Sequence, residues 1–191
     1  MDVNQVYLES VEKLFLYYKT LGEKAMDQLE PDQWFVAFNE DSNSIATIVK
    51  HLWGNMLSRW TDFLTSDGEK PWRNRDVEFE NDILSQEELL QKWNEGWDCL
   101  LSAIRSLRPD QLTQVIYIRN EGHTVMDAIN RQLAHYPYHV GQIIYAAKIL
   151  KKTDWDSLSI PKKRSNQYNE TKFSQDKAVK NFTDDELKRL K

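Results

Sequence analysis

The sequence predicts an all-α protein: a four-helix bundle with a long connection between helices two and three and a possible short strand before helix four. Three observations predict it. Apolar residues recur at spacings of three and four through four long segments. Ser44, Ser85 and Thr124 stand where helix N-caps belong, and Pro31 and Pro109 stand where helices end. Strand-like alternation is confined to one short stretch, Gln114 to Arg119.

The first helix carries Tyr7, Val11, Leu14, Phe15, Tyr18, Leu21, Ala25 and Leu29 on one face, and Pro31 closes it. The second starts at Ser44 and runs to about Leu64. Its stripe is Ile45, Ile48, Leu52, Met56 and Phe63, widened by Trp53, Leu57 and Trp60. The third follows Ser85-x-x-Glu88, a capping box, and carries Leu89, Trp93, Trp97, Leu100, Ile104 and Leu107 until Pro109. The fourth begins at Thr124 and continues to about Lys151.

Two connections exceed what a minimal bundle needs. Thr65 to Leu84 contains DGEKPWRNRD, too polar and too interrupted for a helix, and loops of that length are usually functional or crossover segments. The alternating QVIYIR is followed by a turn at Asn120-Glu121-Gly122 and needs a partner strand, either Phe35-Val36-Ala37-Phe38 or another subunit. Residues 1–155 form the bundle and 156–191 a polar basic tail, partly ordered or packed on the body. From residue 160 onward nine Lys or Arg face five Asp or Glu, a net +4 on a chain of −5 overall. Thr183-Asp-Asp-Glu suits the start of a last helical turn.

With 191 residues, 40% of them hydrophobic, the chain has the apolar volume for a core. A mean hydropathy of −0.68 and the absence of any long apolar run predict no membrane span. The N-terminal MDVNQVYLESVEK has neither the basic start nor the apolar centre of a signal peptide, so a cytoplasmic location is expected. The acidic balance argues against nucleic acid as a partner and leaves a small molecule as the expected one. Cys99 is the sole cysteine, which excludes an internal disulfide and any cysteine-cluster metal site. It has no histidine near it in sequence and no local feature that would activate a thiol.

Four histidines remain. His135 and His139 lie one turn apart on one helical face, so both imidazoles can reach a single ion. Alone, such a pair is equally consistent with two partly exposed histidines bonded to neighbours. The same face includes Ala128, Arg131 or Gln132, and Gln142. On helix two, His51, Asn55 and Arg59 step by four beside the apolar stripe, either as its solvated border or as the polar lining of a pocket. Three histidines on two facing helices would offer three neutral nitrogens and leave a coordination position open for water or substrate. His123 falls in the turn before Thr124 and is not expected to join them. Pro137 lies between the helix-four pair and is expected to kink the helix, either aiming the pair or loosening it.

His51, the His135-x-x-x-His139 pair followed by Val140-Gly141-Gln142, and the four-helix pattern resemble the DinB-like superfamily of metalloenzymes. Within it, SIATIVKHLWGNMLSRWTDFLTSDGEKPWRNRDVEFE and GHTVMDAINRQLAHYPYHVGQIIYAAKIL are similar to a bacterial group of unassigned function. The resemblance spans roughly residues 5–155 and leaves the tail outside. It implies His51, His135 and His139 as ligands of one divalent metal, commonly zinc or nickel. It also implies a homodimer, and use of an external low-molecular-weight thiol by some members.

Two functions from different classes follow. In the first, the ion activates water or a thiol at its open position, giving a metal-dependent hydrolase or thiol transferase. Asn55, Arg59 and Gln142 are then candidates for orienting substrate. Lys70, Arg73 and Arg75 are candidates for an anion-binding rim, or else a solvated loop paired with Asp76, Glu78 and Glu80. In the second, a non-catalytic dimer binds metal for stability or sensing. In its favour, no Asp or Glu lies on the His51 or His135 face within a turn, so no proton shuttle is evident.

Overall fold

A computed structural model describes residues 2–83 and 85–190, which leaves Met1, Leu84 and Lys191 outside the description. The protein is all-α apart from one small hairpin. The bundle helices are α1 (Val3–Met26), α2 (Ile45–Trp60), α3 (Gln86–Ser106) and α4 (Val125–Lys151). Each starts on a side chain that takes an orphan amide. Ser44 accepts from Thr47 N–H at 3.1 Å, Ser85 from Glu88 N–H at 3.1 Å and Thr124 from Asp127 N–H at 3.0 Å. Asp2 does the same for α1. Pro31 and Pro109 follow the ends of α1 and α3, each opening a short 3-10 turn, where its fixed φ fits and its missing N–H costs nothing.

The helices close into a ring in which α1 packs on α3 and α4, and α2 packs on α3 and α4. Trp34, Trp93, Trp97, Tyr136 and Phe15 fill the centre, each at most 2% exposed. Gly96 lets α2 and α3 approach closely, because a Cβ there would lie 3.1 Å from the Trp53 backbone. The α2–α4 contact, made without any short connection between the two helices, is what sets His51 against His135 and His139.

The predicted strand is β1 (Val115–Ile118), but its partner corrects the expectation. It pairs antiparallel with β2 (Glu121–Thr124), in register Val115 with Thr124 through Ile118 with Glu121. Phe35–Phe38 does not pair with it. Arg119 and Asn120 form the turn with φ of 56° and 62°, the left-handed pair that matches strand twist in a two-residue hairpin. Asp67 holds that turn from outside, its carboxylate accepting Arg119 N–H at 2.8 Å and Asn120 N–H at 2.9 Å. Gly68 N–H also donates to Tyr117 O at 2.8 Å, so the long connection after α2 is tied to the hairpin.

The tail holds two further helices, α5 (Ser165–Phe173) and α6 (Phe182–Arg189). The last helix begins one residue ahead of Thr183 because Asn181 is the cap, accepting Thr183 N–H. α6 lies on α1 through a Lys13–Asp184 ion pair at 2.8 Å and an edge contact between Tyr17 and Phe182. Among the described residues, no helix is long and apolar enough to cross a membrane.

Candidate metal centre

The step of four along α2 turns His51, Asn55 and Arg59 into one buried line, each 5 to 6% exposed. They form one wall of a cavity of about 410 Å³. The facing wall is α4, with Arg131, Gln132, His135, Tyr138 and His139, and the mouth is completed by Arg73, Arg75 and Phe79 from the long connection and Arg119 from the hairpin. Pro137 lies inside α4, yet the helix runs continuously from Val125 to Lys151 and the histidine pair converges. Gly141 meets no neighbouring helix, as a Cβ there would touch nothing within 4 Å.

The three histidines present the same nitrogen. His51 Nε2 is 3.4 Å from His135 Nε2, which is 3.0 Å from His139 Nε2. Each ring's other nitrogen is engaged from behind. His51 Nδ1 meets Glu78 Oε2 at 2.9 Å, His135 Nδ1 meets Gln132 Oε1 at 3.2 Å and His139 Nδ1 meets Gln142 Oε1 at 2.7 Å. All three partners are acceptors, so the ring protons sit on Nδ1 and three Nε2 lone pairs face one another. Burial, then the neighbouring His139 and His51, pushes His135 down to about 3. Burial likewise lowers His139, so both rings favour the neutral form, with one proton each, on Nδ1.

Three converging lone pairs repel one another, and a cation between them would relieve that repulsion. A tetrahedral ion 2.0–2.1 Å from each nitrogen would separate the nitrogens by about 3.3 Å, and the two contacts of 3.0 and 3.4 Å bracket that spacing. Among the described residues this cluster has three members of metal-binding type, with no fourth His, Cys, Asp or Glu.

No Asp or Glu lies on the His51 or His135 helix face within a turn, as expected, but Glu78 brings a carboxylate to His51. It arrives from the long connection rather than from the helix face, and it is 5% exposed. Burial acts to raise its pKa, but hydrogen bonds from His51 and Arg73 outweigh that and hold the carboxylate below its usual range. Arg73 braces it from the far side, donating from Nε to Oε1 at 2.6 Å and from its terminal nitrogen to Oε2 at 2.9 Å. Gly54, three residues after His51, makes room. A Cβ there would fall 2.9 Å from the Glu78 carboxyl carbon. Phe79 then stacks on the His51 ring at 5.0 Å between centroids.

The other expected site residues divide. Asn55 lines the cavity with its Oδ1 accepting the Tyr136 hydroxyl at 3.1 Å, which leaves its amide nitrogen as a donor. Arg59 also lines it but is held by Glu69, at 3.1 Å from both terminal nitrogens, and by Gly68 O. Gln142 stands behind His139, donating to Tyr138 Oη at 3.0 Å, and does not line this cavity. Arg73 and Arg75 reach the cavity, whereas Lys70 is buried elsewhere, donating to Asp67 O at 2.6 Å. His123 lies in β2, apart from the cluster. Cys99 lines a different cavity beside Thr61, and burial raises its pKa.

Sequence reasoning missed Glu78, Glu69 and Arg119 as site residues, because Glu78 reaches His51 and Glu69 meets Arg119 only through contacts between separate elements. Gln132 and Gln142 were within reach of it. They lie three residues before His135 and three after His139, a symmetric i±3 spacing that places an amide beside each ring.

No curated protein and no solved structure matches the chain. A sequence-family model described as Protein of unknown function (DUF1572) matches residues 2–164. That span takes in α1 to α4, the hairpin and all three histidines, and the chain belongs to this family.

Proposed function

We propose that the chain is a divalent-metal enzyme of DinB-like type that binds zinc or nickel on His51, His135 and His139. It acts as a hydrolase or as a transferase using an external low-molecular-weight thiol. The observation that carries this reading is the convergence of three unprotonated Nε2 atoms, each ring fixed through Nδ1, on a cavity large enough for a small molecule. When bound, the ion supplies Lewis acidity and lowers the pKa of water or thiol at its open position.

The chain's own residues set the conditions for that chemistry. Glu78, Gln132 and Gln142 fix the tautomers of the three rings. The Asn55 amide nitrogen is placed to donate to a bound substrate. No carboxylate lines the cavity among the described residues, which suits a reaction whose nucleophile is activated without a protein base. Cys99 lies outside the cavity, so a thiol would come from solution. The three-member cluster and open cavity favour this reading over a closed, purely structural site.

Cobalt(II)-substituted protein tests the open position. Adding a small thiol such as cysteamine should shift the visible spectrum saturably, and a spectrum unmoved by thiol or azide would contradict an accessible site. A homodimer is also proposed, through the α4 face that exposes Tyr138, Tyr145 and Ile149. Sedimentation equilibrium should give twice the chain mass, and a monomer at micromolar concentration would overturn it.

A further inference from the structure

We infer that Arg75 and Arg131 form a subsite for an oxyanion, so that the substrate of the proposed metal centre is a small molecule bearing a carboxylate or phosphate group. The inference rests on that centre for the position of the reacting end, and on the arginines alone for the anion. The chain has nine arginines and sixteen lysines, yet among the described residues five arginines and no lysine line the cavity. Guanidinium groups match oxyanions through paired, planar N–H donors, which an ammonium group cannot offer.

Three of the five are already committed. Glu69 accepts from Arg59 at 3.1 Å and from Arg119 at 3.1 Å and lies 3.7 Å from Arg73, which also grips Glu78. The guanidinium groups of Arg75 and Arg131 have no hydrogen-bond or carboxylate partner among the described residues. The Arg75 guanidinium lies over the face of Phe79, 5.4 Å from the ring centroid. Two carboxylates therefore answer five guanidinium groups, a cationic pocket on a chain of net charge −5.

The placement also bounds the ligand. Arg131 precedes His135 by one helical turn, roughly 6 Å along the α4 face. Arg75 is linked to His51 through Phe79, whose ring stacks on His51 and also lies against the Arg75 guanidinium. An anionic group held by both arginines lies a few bonds from an atom at the three nitrogens, a span that fits a cavity of about 410 Å³.

Calorimetric titration of tag-free, metal-loaded protein at low salt tests this, with inorganic phosphate and succinate as separate probes. At least one should bind saturably and weaken tenfold or more in both Arg75→Ala and Arg131→Ala, with metal content unchanged. Arg105→Ala, which removes an equivalent charge from the α1–α3 surface, should bind as the wild type does. Binding of phosphate alone identifies a phosphate ester, and of succinate alone a carboxylate. Binding that survives both substitutions, or no binding of either probe to the wild type, overturns the subsite. Arginine-dependent binding to protein that cannot be loaded with metal would leave the subsite standing and remove the metal centre.

Discussion

Glu78→Gln keeps the shape of the side chain and removes one acceptor and the charge. The native carboxylate accepts three hydrogen bonds, from His51 Nδ1 at 2.9 Å and from Arg73 at 2.6 and 2.9 Å. An amide has only one oxygen to offer. If that oxygen stays with Arg73, its NH₂ faces His51 and the imidazole must move its proton to Nε2, where it blocks the metal. If the amide turns the other way, NH₂ faces the Arg73 guanidinium, whose side chain is 2% exposed. Loss of such an outer partner typically costs about 10–100-fold in metal affinity, or roughly 1.4–2.7 kcal/mol. Leaving a buried charge short of a partner costs about 1–3 kcal/mol of stability. Competition against a chromophoric chelator measures the first, and urea unfolding of metal-free protein the second. A folded variant that binds metal within threefold of the wild type would refute the role assigned to Glu78.

Gly54→Ala should reproduce much of that loss of affinity without altering any charge, because the new methyl occupies the space of the Glu78 carboxyl group. Unchanged affinity in the same chelator competition would show that Glu78 does not depend on this gap. Asp67→Ala should destabilise the fold by about 1–2 kcal/mol, since three backbone amides lose a charged acceptor; urea unfolding with an unchanged midpoint would count against it. For pH, His135 is depressed to about 3 in the folded chain against 6.5 unfolded. Between those values the unfolded chain holds more protons, so stability of metal-free protein is full above pH 6.5 and falls as pH drops. Chemical denaturation at pH 7 and pH 5 should show this loss, with a shallower slope in His135→Ala; equal stability at both values would contradict it.

What the sequence disclosed and what it hid differ in range. Ser44, Ser85 and Thr124 were readable as caps because each bonds an amide three residues away. His51, Asn55 and Arg59 were readable as one line because helical geometry fixes them. Glu78 was not, because it meets His51 from 27 residues away, across the end of α2 and the long connection, and resembles any loop acid paired with an arginine. β2 was hidden for another reason. Its sequence EGHT has no apolar alternation, and it is held by pairing with β1 and by the Asp67 clamp on the turn, neither of which is visible locally. The arginine-lined cavity draws on α2, the long connection, the hairpin and α4 at once, so no single motif could announce it.

The proposed metal centre rests on the convergence of three Nε2 atoms, and the most direct measurement is elemental analysis of protein prepared without a histidine tag, beside His51→Ala and His135→Ala. A metal centre of this geometry should carry close to one equivalent of divalent metal per wild-type chain and lose it in both variants. Wild-type protein that holds no metal, even after reloading with zinc or nickel, would contradict it.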